Sequence, residues 1–267
     1  MNPYLEAIIL GIIEGVTEFL PVSSTGHLLI AQRWLTPRPD VFNVAIQGGA
    51  VLAVLVVFRE KVMEMVKNWR EPETSSYIKQ LFTAFFITCL VGLALKLADF
   101  SISDRDIRMV AWATLIGGFA IFGIEYWTHK KGTLLMKMTW IAVFAVTLGQ
   151  IIAMVFPGTS RSGATIFAAM LAGIDRKQAT EFSFLLGVPT LLAATAFELL
   201  SAVRKNELRQ EMLGEMGVAF VTATLVAFLV VKWLLHFVQN HSFTIFGWYR
   251  ILLGGVLLWL LKTQSAV

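Results

Sequence analysis

The stretch EGVTEFLPVSSTGH, residues 14–27, interrupts one of the most apolar regions of the chain. It holds two glutamates, a proline, a run of hydroxyl residues and a histidine. Around it, the 267-residue chain is 57% hydrophobic and only 15% charged, with a mean hydropathy of +0.71. A soluble domain needs more polar surface than this. Because helices satisfy their own backbone groups in lipid, the long apolar runs predict an all-α, polytopic integral membrane protein.

The apolar runs also predict how many helices cross the membrane. Two regions are broken by polar residues: 5–20 followed by 24–32, and 138–156 followed by 161–174. Segments as short as 5–20, 24–32 and 161–174 are typical of re-entrant or interfacial helices. Residues 138–156 are long enough to span, but they run straight into FPGTSRSGAT, so we pair them with 161–174. We therefore predict two re-entrant helical hairpins in a single membrane domain of residues 1–267. We also predict about six spanning helices, near 42–58, 78–98, 107–127, 182–200, 215–237 and 243–261.

The two broken regions resemble each other. FLPVSSTG at 19–26 is similar to VFPGTSRSG at 155–163, with Pro21 aligned to Pro157. Each half of the chain would hold one hairpin followed by three spans. Since three is odd, the second half would enter the membrane upside down, as in many transporters. We predict an inverted-topology repeat, with repeat 1 at about 1–127 and repeat 2 at about 138–262.

Loop charges predict the orientation. Basic residues are frequent in the loops at 59–76 and 128–137, whereas the loop at 99–106 holds Asp99, Asp104 and Asp106. The positive-inside rule makes the first two loops cytoplasmic and the third external, so the first hairpin would open to the outside. Because the basic residues lie in short loops, the net charge of +4 gives no reason to expect a nucleic-acid partner.

Glu14 and Glu18 lie four residues apart, so on a helix they share one face. Charge at membrane depth is costly and usually faces a cavity or a partner. Two close carboxylates repel each other unless a cation intervenes, and Mg²⁺ or Ca²⁺ suits carboxylate oxygens. We predict both glutamates as catalytic residues and as ligands of a divalent cation. The alternative is a helix end at the interface, with both carboxylates in water.

The residues after Pro21 have the composition of a helix start. Ser23, Ser24 and Thr25 can cap the next helix, whose free N–H groups favour an anion. Capping alone would account for at least one of these hydroxyls. His27 follows one turn later and is either structural or a general base. We predict Ser24 and His27 as catalytic, and Ser23 and Thr25 as substrate contacts.

PGTSRSGAT, residues 157–165, repeats this pattern with an arginine added. Arg161 in an apolar context needs an anionic partner, and its planar fork suits phosphate oxygens. Thr159, Ser160 and Ser162 add hydroxyl donors, so we predict these four residues as substrate-binding. The alternative is a structural ion pair between Arg161 and Glu14 or Glu18.

Three other polar residues in apolar segments are weaker candidates. Gln47 lies beside two glycines and would line a cavity or bond a neighbouring helix. Glu181 is expected at the interface. Arg250 lies several residues into the last span, and we expect its side chain to snorkel to the surface.

The two motifs, together with EFSFLLGVP at 181–189, resemble the bacterial undecaprenyl-diphosphate phosphatases linked to bacitracin resistance, over nearly the whole chain. This resemblance implies an inner-membrane enzyme that removes the terminal phosphate of undecaprenyl diphosphate. The undecaprenyl phosphate would be reused in peptidoglycan synthesis, and a divalent cation would be required. The family's functional residues match Glu14, Glu18, Ser24, His27 and Arg161.

Two mechanisms fit these residues. Ser24 would attack phosphorus with His27 as base, giving a phosphoserine, or water would attack after activation by Glu18 or His27. The alternative from another class is a polyprenyl-phosphate transporter or flippase with the same anion site. A nucleophile beside a base favours the enzyme. A homodimer is left open.

Overall fold

The computed structural model describes residues 1–100, 106–132, 134–205 and 210–264. Asp104, used above for orientation, lies outside these ranges. Within them the chain forms eleven α-helices and no β-strand. They are α1 (Pro3–Thr17), α2 (Ser24–Ala31), α3 (Asp40–Val57), α4 (Arg59–Lys67), α5 (Pro72–Leu97), α6 (Ile107–Lys131), α7 (Trp140–Val155), α8 (Arg161–Leu171), α9 (Arg176–Arg204), α10 (Gln210–Asn240) and α11 (Thr244–Gln264).

Six of these helices are long and apolar enough to cross a membrane: α3, α5, α6, α9, α10 and α11. They coincide with the six predicted spans and confirm an all-α, multi-pass membrane protein. Several begin before the predicted span, as α5 does at Pro72. Proline suits the first helical turn, and the polar residues that follow it are helical without being apolar. Hydropathy therefore marks the part of a helix that suits lipid, and the helix itself extends further.

One helix was not predicted. α4 lies within the charged loop at 59–76, and none of its residues is fully buried. Val62 and Met65, three residues apart, pack on the apolar core. Glu60 in the first turn and Lys67 in the last both favour the helix dipole. The many charged residues of this segment led us to predict a loop, although one face of the helix packs against the rest of the protein.

Each predicted hairpin consists of two helices joined by a short break, α1–α2 and α7–α8. The breaks share one backbone geometry. Ser23 has φ 72° and Ser160 has φ 69°, and each side chain caps the next helix by accepting from the N–H of Gly26 or Gly163. Positive φ is uncommon for residues other than glycine. The motif resemblance thus reflects a common local structure, while the repeat boundaries stay a prediction.

The two hairpins have their open ends near opposite ends of α10. Arg38, which follows α2, forms an ion pair with Glu215 near the start of α10. Arg176, which follows α8, pairs with Glu125 at 2.6 Å. Glu125 also accepts from the backbone N–H of Phe243, just beyond the end of α10. With 31 residues, α10 is roughly 46 Å long. Gly15, six residues before Pro21, lies against Ala223 near the middle of α10, and Pro21 lies beside Gly163 of the other hairpin, so both breaks lie between these two ends.

The breaks are surrounded by packed helices. α1 packs on α10, α3 on α10 and α9, α7 on α8, and α6 on α11. The α1–α10 contact is close, because a Cβ at Gly11 would lie 2.5 Å from the carbonyl oxygen of Ala219. Phe19 in the first break meets Phe184 of α9 edge to face, with ring centroids 5.1 Å apart. This buried packing fixes the position of the polar residues on either side of Phe19.

Candidate active site

Glu18 is where the two hairpins meet. It caps the C-terminal end of α1 and is buried. Its Oε2 accepts from the Ser24 hydroxyl at 2.9 Å, and its Oε1 accepts from Nη2 of Arg161 at 3.2 Å. One carboxylate therefore contacts a hydroxyl of its own hairpin and a guanidinium of the other. The anionic partner expected for Arg161 is Glu18, as the ion-pair alternative stated.

Glu14 lies one helical turn before Glu18 and is fully buried. Neither of its carboxylate oxygens has a hydrogen-bond partner among the described residues. The Glu14 carboxyl is close enough to that of Glu18 for the two to interact electrostatically. Since both side chains are buried, the alternative in which both stand in water does not hold. A buried carboxylate without a partner requires a proton or a cation.

The residues present fit a hard divalent cation. The two oxygens of Glu14 are unpaired among the described residues, and Glu18, one turn later, contacts the Ser24 hydroxyl, so the available donors are oxygen atoms only. Across the described ranges, no group of three or more His, Cys, Asp or Glu could hold a metal. Mg²⁺ commonly takes one or two carboxylates and completes its shell with water and substrate phosphate oxygens. Two glutamates are sufficient for that kind of site.

Arg161 begins α8 and retains a spare donor. Nη1 donates to the carbonyl of Ser183 at 3.3 Å, and the guanidinium lies over the Phe19 ring, 5.3 Å from its centroid. Its Nε is buried without a partner among the described residues. The guanidinium fits against α9 only because Gly187 has no side chain, since a Cβ there would overlap it. Arg161 can therefore offer Nε to an anion without first breaking the Glu18 contact.

Three of the predicted hydroxyl contacts lie at the helix starts. Ser23 and Ser160 are the N-caps of α2 and α8, so their oxygens already accept from backbone N–H groups. Thr25 is half-buried in the first turn of α2, next to Ser24. The capping role expected for at least one hydroxyl of the first motif belongs to Ser23.

The other two predicted hydroxyls bind carbonyl groups of the breaks. Ser162 is fully buried and donates to the carbonyl of Leu20 at 3.0 Å, which joins the second hairpin to the first. Thr159 donates to the carbonyl of Phe156 at 2.7 Å, within its own turn. These contacts stabilise the breaks, and the substrate-binding roles of both residues stay predictions.

His27 has a partner that the sequence did not reveal. Its Nδ1 is 2.7 Å from the carbonyl oxygen of Ser23, and its Nε2 is 2.6 Å from the Tyr249 hydroxyl. A carbonyl only accepts, so Nδ1 carries the proton and the Tyr249 hydroxyl donates to Nε2. The two rings are stacked, with centroids 5.5 Å apart. Tyr249 gave no signal beyond being a tyrosine in a span, which resembles an interfacial belt residue.

Arg250 does not snorkel, and that prediction is wrong. Its side chain is buried and forms no ion pair with a carboxylate among the described residues. It donates to five backbone carbonyls, those of Pro21, Ala113, Thr114, Gly158 and Thr159. Arg250 thus ties both breaks to α6. The sequence could not show this, because the five carbonyl groups that Arg250 binds come from separate elements and meet only in the folded protein.

The other polar candidates lie on α3, α9 and α7. Gln47 is half-buried on α3, and Glu181 is half-buried on α9, with an oxygen 4.0 Å from Nζ of Lys177. Gln150 lies seven residues before Pro157, as Glu14 lies seven before Pro21, and it donates to the Thr88 hydroxyl at 2.9 Å. The second hairpin contributes Arg161 to the site, whereas the first contributes Glu14 and Glu18.

Comparison with known proteins places this arrangement in a family. Residues 7–256 match the family model described as bacitracin resistance protein BacA. The chain belongs to the BacA family. A BacA-family relative from Rhizobium johnstonii, named undecaprenyl-diphosphatase, is 47% identical over 261 residues, covering 97% of this chain and 98% of its own. Proteins of the same name from Xylella fastidiosa and Xanthomonas oryzae pv. oryzae are 48% and 44% identical over 256 and 264 residues. The two alignments cover 95% and 97% of this chain, and 97% and 98% of the respective relatives.

Proposed function

We propose that this BacA-family chain hydrolyses the terminal phosphate of undecaprenyl diphosphate, giving undecaprenyl phosphate and inorganic phosphate. The product returns to peptidoglycan synthesis as a lipid carrier at the bacterial inner membrane. The observation that carries the proposal is the contact of Glu18 with both Ser24 and Arg161. A transporter is not favoured, because the curated relatives are named as diphosphatases and a carrier has no need of an activated hydroxyl.

The diphosphate head would lie between the two breaks. Nε of Arg161 is an unused donor there, and a guanidinium binds phosphate oxygens in a planar fork. The starts of α2 and α8 add backbone N–H groups and the positive ends of their dipoles. The first residues of α2 and α8, Ser24 and Arg161, both contact Glu18. Two helix starts close to one point suit a substrate that carries several negative charges.

The chemistry follows from the hydrogen bond of Ser24. Its hydroxyl oxygen attacks the terminal phosphorus while Glu18, at 2.9 Å, takes the proton. The bond from phosphorus to the bridging oxygen breaks, and undecaprenyl phosphate leaves. Water then hydrolyses the phosphoserine, which releases phosphate and restores the hydroxyl. Glu18 takes the base role expected of His27, whose Nδ1 instead holds the Ser23 carbonyl beside Ser24.

Glu14 and Glu18 would hold the divalent cation, with the remaining positions filled by water and phosphate oxygens. When bound, the cation supplies positive charge against the phosphate oxygens, on which negative charge develops during phosphoryl transfer. In this proposal the site opens to the outside of the membrane, since the basic loops are taken as cytoplasmic.

The test is phosphate release by the purified protein from undecaprenyl diphosphate in detergent. We expect Glu18→Gln to lower kcat roughly 100-fold or more, because it removes the base, and EDTA to stop the wild type. Glu60→Gln, an exposed change on α4, is the matched control. Labelled terminal phosphate should stay on the wild type after acid quench and be lost in Ser24→Ala, with exposed Ser242→Ala as control. Full activity of Ser24→Ala would mean that water attacks directly.

A further inference from the structure

A cleft of about 520 Å³ lies between α5, α7 and α9. Its inner end is formed by Thr88, Gln150 and Arg161. Its other end is formed by residues close to the ends of α5 and α9, namely Lys96, Phe197 and Glu198. Between the two ends the lining is small or apolar, including Cys89, Gly92, Leu93, Ala153, Met154 and Ala194.

We propose that this cleft holds the first isoprenoid units of the lipid diphosphate substrate, with the diphosphate beside Arg161. The inference rests on the proposed function and adds where the lipid tail lies. The rest of the tail passes between α5 and α9 into the bilayer, because both are span-length helices and both line the cleft.

The cleft and the candidate active site share Arg161. Arg161 lines the inner end of the cleft and also contacts Glu18 at 3.2 Å, so one guanidinium belongs to both. Two buried polar atoms at this end have no partner among the described residues, Nε of Arg161 and Oε1 of Gln150. A donor left open at the end of an apolar cleft fits an anionic group attached to an apolar chain. The volume lies within the range of about 300–1,000 Å³ that is typical of small-ligand sites.

Charge supports the same occupant. Lys96 is the last residue but one of α5, and its Nζ lies 3.7 Å from the ring centroid of Phe197. Lys96 and Glu198 carry opposite charges at the outer end, whereas Arg161 is a cation at the inner end, so the charges along the cleft favour an anionic group near Arg161. Lys96 is held by an aromatic face, which a lipid phosphate can replace as it passes.

A second groove of similar size provides a comparison within the same molecule. It lies between α6, α7 and α8 and measures about 510 Å³, and Arg250 forms part of its wall. All five N–H donors of Arg250 are already used by backbone carbonyls. This groove is as apolar as the cleft but has no free donor for a phosphate, so we assign the substrate to the cleft at Arg161.

The first experiment fills each groove in turn. Ala194→Trp places a bulky side chain in the cleft, and Ala145→Trp places the same side chain in the second groove. We expect Ala194→Trp to raise KM for undecaprenyl diphosphate roughly tenfold, about 1.4 kcal/mol of binding, and Ala145→Trp to leave KM unchanged. Equal KM values in the two variants would overturn the inference. An inactive wild type would instead overturn the proposed function.

The second experiment uses the wild type alone, so it does not depend on a variant folding. Cys89 is the only cysteine of the chain and lines the cleft. Undecaprenyl phosphate should slow its alkylation by N-ethylmaleimide several-fold, whereas phosphatidylglycerol and inorganic phosphate at the same concentration should not. Equal protection by phosphatidylglycerol would make the cleft a general lipid site and contradict the assignment. An unchanged rate with undecaprenyl phosphate would also contradict it.

Discussion

At the scale of single residues, Glu18 connects the other residues of the candidate active site. One carboxylate accepts from Ser24, accepts from Arg161 and neighbours the unpaired Glu14. Arg161 pairs with Glu18, while Glu14 has no hydrogen-bond partner among the described residues. The two acids thus differ in surroundings although they lie one turn apart, and the proposed function gives Glu14 only a role in cation binding but gives Glu18 the proton of Ser24 as well.

Tyr249 is expected to position His27. Tyr249→Phe removes the hydroxyl that donates to Nε2 but keeps the stacked ring, so it should lower kcat about tenfold, the range of one hydrogen bond, with little change in KM. The measurement is steady-state phosphate release, with exposed Tyr126→Phe as the control.

A double-mutant cycle separates positioning from a general packing effect. In His27→Ala, the additional change Tyr249→Phe should have almost no effect on kcat, because the group that Tyr249 orients is gone. If the two losses multiply instead, the hydroxyl of Tyr249 acts independently of His27 and the positioning role is wrong.

The sequence predicted which chemical groups the site contains better than it predicted which residues contact each other. The four-residue spacing placed Glu14 and Glu18 on one face, and the apolar context of Arg161 required an anion nearby. The His27–Tyr249 contact joins residues 222 positions apart, and neither residue is unusual in its local context. A local pattern indicates what a side chain needs, whereas the fold decides which distant group meets that need.

At the scale of helices, the two breaks depend on arginines that fit against glycines. Arg161 lies against Gly187 of α9, and Arg250 lies against Gly117 of α6. A helix break leaves backbone carbonyls without intrahelical partners, which is costly away from water. Arg250 satisfies three carbonyls at the two breaks, so both are supported by a single side chain.

Arg250→Lys should therefore destabilise the protein although it keeps the charge. An ammonium group has three donors where guanidinium has five, and it cannot reach carbonyls on both breaks and α6. Unsatisfied buried carbonyls should reduce the free energy of unfolding by about 3 kcal/mol, which lowers Tm by roughly 5 °C or more.

Thermal unfolding in detergent, followed by tryptophan fluorescence, measures this effect. Arg108→Lys, an exposed change in the first turn of α6, is the control and should leave Tm unaltered. A Tm for Arg250→Lys equal to that of the control would mean that water replaces the guanidinium at the breaks.

Helix existence was easier to predict than helix role. Six long apolar runs predicted six spans, because length and hydropathy are properties of the segment itself. α4 was missed because its charges were counted for orientation, while Val62 and Met65 form a narrow apolar face on a short helix. The role of Arg250 was missed for the converse reason: its neighbours in sequence are apolar, and its partners are backbone groups from other elements.

At the scale of the whole molecule, one ion pair lies near each end of α10. Arg38 and Glu215 lie near one end, and Glu125 and Arg176 lie near the other. At each end, an ion pair joins residues that are far apart in the sequence. Arg38 follows the first hairpin and Arg176 follows the second, so a substrate held between the breaks could be approached from either face. The loop charges favour approach to the first hairpin from outside.

This orientation predicts which loops react with a membrane-impermeant maleimide. In a Cys89→Ser background, Thr36→Cys marks the end of the molecule with Arg38, and Ser242→Cys marks the end with Arg176. Both positions are exposed. In intact spheroplasts, Thr36→Cys should react and Ser242→Cys should react only after permeabilisation, because the lysine-rich loop at 128–137 lies on the Ser242 side. Reaction of Ser242→Cys alone in intact spheroplasts would invert the orientation and turn the first hairpin towards the cytoplasm. Since both variants share one background and one reagent, each serves as the accessibility control for the other.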